Sequence, residues 1–200
     1  MKKSTLTLLI VLSVISLIVL CLVLWGVSTY NKMIAAQEEV TTRWSNVESQ
    51  YQRRADLIPN LVNTVKGYAE HESSTLEAVT EARNNASSIK IDPSNITPEQ
   101  FAEYQKAQNE VGGALGRLLA VAESYPDLKA NQNFLDLQEQ LEGTENRIQY
   151  ARREYNTGVQ VYNTMVRRFP NNIIASMFGF DKMEKFEAAE GAENAPTVEF

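Results

Sequence analysis

Cysteine is almost missing from this chain: Cys21 is the only one in 200 residues. A single thiol allows neither a disulfide framework nor a multi-thiolate metal site within one chain. Histidine is as scarce, with His71 alone. The usual zinc sets need more such ligands. Di-iron bundles need a glutamate three residues before each histidine, and Tyr68 stands there instead. The nine glycines and six prolines gather at a few boundaries, as in a mostly helical chain. No run alternates with strict period two, which argues against a sheet. Basic residues number 19 against 25 acidic ones, a net charge of −6. Lys2, Lys3 and Lys32 flank an apolar segment, so the remainder is more acidic still. Such a surface repels phosphates, and a nucleic-acid partner is not expected. There is no G-x-S-x-G elbow and no convincing acid–base carboxylate pair. The expectation is a non-enzyme, with no catalytic residue, no cofactor and no metal site.

What the chain does have is one long apolar run. Leu6 to Val27 reads "LTLLIVLSVISLIVLCLVLWGV", without a charge. As a helix it spans ~33 Å at ~1.5 Å per residue, enough to cross a ~30 Å hydrocarbon core. Trp25 and Tyr30 lie at one end, where interfacial aromatics belong. A cleaved signal peptide would have a shorter run and a small-residue cleavage site, but "GVSTYN" follows. A lipoprotein signal would place small residues before Cys21, where Ile18, Val19 and Leu20 stand. A retained single span over residues 6–28 is expected, after a short flank at 1–5. The cations before the span favour a cytoplasmic N-terminus and an extracytoplasmic bundle.

Beyond the span the helical period rules. Phe134, Leu137, Leu141, Thr144, Ile148, Ala151, Tyr155, Gly158, Tyr162, Met165 and Phe169 alternate steps of three and four. Phe101, Tyr104, Gln108, Val111, Leu115, Leu118, Ala122 and Tyr125 do the same. Both are seams of long packed helices. Gln108 is the polar entry, expected to fix register against a partner amide. Val40, Trp44, Val47 and Tyr51 continue the span as one helix to about Arg54. Leu61, Val65, Tyr68, Glu72, Leu76, Val79 and Arg83 mark a weaker second helix. Three breaks are expected, at "ADLIP", at "SSIKIDPSNITPEQ" with Thr97 as an N-cap, and at "ESYPDLKAN". At the first, Asp56 would cap the second helix and Pro59 would sit in its first turn. Short connections make neighbours antiparallel, which gives an all-α, antiparallel four-helix bundle over residues 29–186. The Asp92–Pro98 loop and the chain near Phe169 then lie toward the bilayer. The apolar "PNNIIASMFGF" that follows would either cap the bundle or meet lipid headgroups or a neighbouring copy's anchor. An acidic, aperiodic tail, read as disordered, occupies 187–200.

Three further clusters have mainly structural readings. Asn60, Glu123, Asn131 and Asn133 would latch Arg53 and Arg54 at the distal corners, with a ligand groove as the functional alternative. "GGALG", Gly112 to Gly116, weakens a helix by ~1 kcal/mol per glycine, and close approach of another helix would compensate. Arg147, Arg152, Arg153, Arg167 and Arg168, with Glu145 and Glu154, form a solvated face or an interhelical lattice.

The segments "YNKM", "WSNVESQYQRRADLIPNLVNTVKGYAEHESSTLEAVTEAR", "LLAVAESYPDLKANQNFLDLQEQLEGTENRIQYARREYN", "VYNTMVRRFP" and "FGF" resemble the LemA family. They cover most of residues 30–186, leaving 188–200 outside the resemblance. The resemblance implies a short N-terminal span followed by an antiparallel helical bundle, and no known catalytic activity. The expectation is thus a membrane-anchored scaffold that forms a homo-oligomer on a lipid bilayer. The alternatives are an adaptor for another membrane protein, such as a protease or envelope-stress component, and a small-molecule or metal-binding bundle.

Overall fold

The computed structural model describes residues 3–69, 71–93 and 95–187. Residues 1 and 2 of the expected flank, and the expected tail from residue 188, lie outside the described residues. Among the described residues the regular structure is helical throughout: α1 (Lys3–Lys66), α2 (Ser73–Ser88), α3 (Pro98–Ala122), the single turn α4 (Pro126–Lys129), α5 (Gln132–Arg167) and α6 (Asn171–Phe178). The chain divides into two compact units. One comprises Met1–Glu39 and Gln160–Lys182, the other Val40–Val159 and Met183–Phe200.

The helix starts follow local chemistry. Thr97 and Gln100 form a reciprocal capping box, with Pro98 in the first turn, so two orphan amides are satisfied. Asn131 accepts the Phe134 amide at 3.1 Å and caps α5. At the end of α6, Gly179 adopts φ 73°, a left-handed conformation that glycine takes without steric cost.

The expected corner at "ADLIP" is not there. α1 runs through it to Lys66, with Pro59 inside the helix. Asp56 caps nothing: its carboxylate accepts from Gln52 one turn earlier, at 2.7 Å. A proline inside a helix removes one N–H and orphans the carbonyl four residues before it. Here that is Ala55, whose oxygen accepts from Arg83 Nε of α2 at 2.7 Å. A side chain 28 positions downstream thus answers the broken bond. The chain turns instead between the end of α1 at Lys66 and the start of α2 at Ser73. The expected second helix is therefore split, with Leu61 and Val65 on α1 and Leu76 and Val79 on α2.

In the second unit, Ile58, Leu61 and Val65 pack with Leu76, Val79, Val111, Leu115, Leu118, Leu128 and Phe134 into one aliphatic core. The α3 seam is buried from Phe101 to Ala122. On α5 the seam is buried from Leu141 to Tyr162, while Phe169, beyond its end, is exposed.

Candidate functional site

Within the first unit, the apolar run of α1 is unburied by the rest of the chain. It is the one helix, among the described residues, long and apolar enough to cross a membrane, and it lies near the N-terminus. α6 lies against it. Ile174 and Ala175 of α6 are buried, while Ile173, Met177 and Phe178 are exposed. A Cβ on Gly26 would meet Ile174 Cδ1 at 3.6 Å, an ordinary contact. Tyr30 packs edge-to-face on Phe178 and Phe180, with centroids 4.9 and 5.5 Å away. Between the helices runs a groove of about 480 Å³, lined by residues such as Val19, Val23, Tyr30 and Met177. The "PNNIIASMFGF" segment thus packs one face on the apolar part of α1, and its other face stays apolar and uncovered. Contiguous apolar surface of this kind suits lipid or another protein.

The second unit contains an aromatic box. Trp44 lies 6.0 Å from Phe101, 5.4 Å from Tyr104 and 5.3 Å from Tyr155, centroid to centroid. Phe186 stacks on it at 5.8 Å and 10°. Phe186 belongs to no helix. It arrives on a strap without regular structure, residues 183–187, whose backbone is held by side chains. Asn156 Nδ2 donates to the Phe186 carbonyl at 2.8 Å, and the Phe186 amide donates to Asn156 Oδ1 at 2.9 Å. Gln105 makes the matching pair with Glu187, at 2.9 and 3.3 Å. Tyr155 Oη donates to the Glu184 carbonyl at 3.1 Å. Arg152 covers the Phe186 ring at 4.6 Å and donates to the Glu187 carbonyl. Burial, reinforced by Glu184, pushes the Tyr155 phenol well above its ordinary range. The sequence reading missed Phe186, Gln105 and Asn156 as a group. Their one trace is two amides flanking apolar seams.

Arg54 forms the buried polar node of the same unit, 3% exposed. Its Nη1 meets Glu145 at 3.0 Å. Its Nη2 donates to the Gln108 carbonyl at 3.0 Å and to Gln108 Oε1 at 2.6 Å. Its guanidinium also lies 5.1 Å from the centre of the Tyr51 ring. Burial raises the Tyr51 phenol, and the charges of Arg152 and Arg54 pull it back. Burial raises Tyr104 too. Gln108 does sit in the seam, but its partner is a cation rather than an amide. This node can hold three helices in register.

The expected distal latch is built from other residues. Arg53, Asn60, Glu123 and Asn133 are exposed, and Arg54 is engaged at the node. The corner is tied instead by Tyr125 Oη to Glu72 at 3.2 Å and by Asn131 Nδ2 to Tyr68 Oη at 2.9 Å. Arg53 and Arg54 are well short of the end of α1, because α1 does not stop at Asp56. On the α3 glycine step, a Cβ at Gly112 would meet Arg54 Nη1 of α1 at 4.0 Å and one at Gly113 would meet Arg117 at 3.8 Å, while Gly116 has nothing within 4 Å. The close approach is at Gly158, where a Cβ would meet Arg43 Cδ at 2.8 Å. Arg43 Nη1 donates there to the Glu154 carbonyl at 2.7 Å. Glu145 and Glu154 thus form the interhelical pairs, and Arg147, Arg153, Arg167 and Arg168 are exposed. His71 is exposed, and no group of three or more His, Cys, Asp or Glu residues could hold a metal ion among the described residues.

Comparison with known proteins fits this picture. Magnetosome protein MamQ 2 of Paramagnetospirillum magneticum is 29% identical over 196 residues, 90% of this chain and 71% of that protein. Magnetosome protein MamQ of Magnetospirillum gryphiswaldense is 27% identical, covering 93% of this chain and 74% of its own length. Protein LemA of Metamycoplasma hominis is 24% identical over 80% of this chain and 69% of that protein. The LemA family model matches residues 43–200. The match includes the residues after Glu187, which the quoted segments had left out. With the α3 and α5 seams, the Arg54 node and the strap inside the matched region, the chain belongs to the LemA family.

Proposed function

We propose that the protein is a non-enzymatic, membrane-anchored helical scaffold that self-associates on the bilayer. The observation that carries this reading is the paired apolar surface of the first unit. The α1 run and the outer face of α6 offer uncovered apolar residues to lipid or to a neighbouring copy. A tether holds copies in two dimensions and strengthens weak lateral contacts. The names of the relatives denote no reaction, in keeping with a non-enzyme.

The domain reading is a flank at 1–5, a span at 6–28, a bundle at 29–186 and a tail at 187–200. An antiparallel four-helix bundle is supported by contact register in the second unit. Arg43 pairs with Glu154, Arg54 with Glu145 and Tyr68 with Asn131, so α1 ascends as α5 descends. A cytoplasmic N-terminus rests on Lys2 and Lys3, and protease protection in spheroplasts tests it.

Light scattering on detergent-extracted, full-length protein tests self-association. A defined oligomer is expected, and a monomer at every concentration would overturn the reading. The adaptor alternative draws on the same uncovered face, and crosslinking with co-purification separates it. A metal-binding bundle predicts bound metal that is lost in His71→Ala.

A further inference from the structure

The strap is held in the way a protein holds a foreign peptide. Its backbone, residues 183–187, joins no helix or sheet. Asn156 and Gln105 each present a carbonyl and an NH₂ to one residue's own N–H and C=O. Such two-way amide pairs read a backbone whatever its side chains. Selectivity comes from one anchor: Phe186 fills the box of Trp44, Phe101 and Tyr155 under the Arg152 guanidinium.

We propose that this groove is a peptide-binding site whose ligand, in the assembled protein, is the strap of a second copy. The proposal rests on the self-association reading above and names its interface. The strap is held in the groove through its backbone and through Phe186, and an identical strap from a neighbour offers the same groups. Exchange of an identical element sacrifices no interaction and is an inexpensive route to closed or extended assemblies. A strap in its own groove enjoys an effective concentration in the mM range. Confinement of copies to a membrane plane raises the competing concentration of neighbouring straps.

The test uses the full chain in membranes, in a Cys21→Ser background. One tagged copy carries Gln105→Cys, and a differently tagged copy carries Glu187→Cys. A short bismaleimide can join these two only between chains. Heterodimers at a yield comparable to the intrachain yield of a Gln105→Cys/Glu187→Cys chain are expected. Adding Phe186→Ala to the strap copy should lower the heterodimer yield at least about tenfold, since large-to-small loss of a buried ring exceeds one decade of affinity. An assembly in which only the doubly substituted chain crosslinks, within itself, would overturn strap exchange and leave the scaffold reading standing. A monomer by light scattering with no heterodimer would overturn both.

Discussion

Leu6–Val27 and Val40–Lys66 belong to one helix but answer opposite surroundings. In the first stretch the large apolar side chains are exposed. In the second they form a stripe, with Val40, Trp44, Val47, Ile58, Leu61 and Val65 buried against other helices. The same residue chemistry therefore serves two solvents. What separates them is pattern: an all-round apolar surface belongs in lipid, and a one-sided stripe belongs in a protein core. Polar side chains follow the same division. Arg54 is buried with both Nη atoms hydrogen-bonded in the second stretch, and the first stretch contains no charge at all.

Truncation inside each stretch sharpens this contrast most. Trp44→Ala removes the centre of the aromatic box and should cost about 3–5 kcal/mol, read as a lowered denaturation midpoint by circular dichroism in detergent. Leu17→Ala, in the lipid-facing stretch, should leave that midpoint in place. Equal effects would break the comparison.

The next effect concerns backbone satisfaction around Pro59. Arg83→Ala leaves the Ala55 carbonyl without its donor and should destabilise by ~1–3 kcal/mol. Pro59→Ala restores an N–H for that carbonyl. In the double variant the cost of losing Arg83 should therefore shrink, a coupling that a double-mutant cycle measures. Additive single effects would refute the pairing.

Much of this molecule is legible from spacing, and the Pro59 region shows where legibility ends. The seams from Phe101 to Ala122 and from Leu141 to Tyr162 depend on local period alone, and they are buried as expected. The Thr97 cap depends on residues three apart. Pro59 and Asp56 carry the marks of a corner, but the deciding contact comes from Arg83. The corner that forms, between Lys66 and Ser73, has neither a proline nor a side-chain cap. The strap is harder still. Its partners lie 30 and 82 positions away, and a segment held by side chains has no period. Of the candidate site, the apolar "PNNIIASMFGF" could be read, but the division of its two faces required α1 beside it.

A smaller effect is expected from alkali. Tyr104 and Tyr155 have folded-state pKa values raised by burial. Stability should be flat below the ordinary tyrosine pKa of ~10, then fall as pH rises beyond it, because only the unfolded chain ionises readily. Urea midpoints across that range measure the slope. Tyr104→Phe should reduce it, and an unchanged slope would remove Tyr104 from the account.

The smallest effect compares two glycines. At Gly26 an added Cβ makes an ordinary contact with Ile174, whereas at Gly158 it collides with Arg43. Both gain helix propensity from alanine, by ~1 kcal/mol. Gly158→Ala also displaces the Arg43 bond to Glu154, so it should be less favourable than Gly26→Ala by about 1 kcal/mol. Equal thermal shifts would mean that Arg43 gives way freely.

The bond from Arg83 to Ala55 has a temporal consequence. A ribosome delivers Ala55 and Pro59 long before it delivers Arg83. Until that later residue emerges and α2 docks, the stretch across Pro59 has a carbonyl with no protein donor. The last turns of α1 should therefore consolidate only after α2 has been made, so the order of synthesis leaves its mark on the order in which this rod becomes rigid.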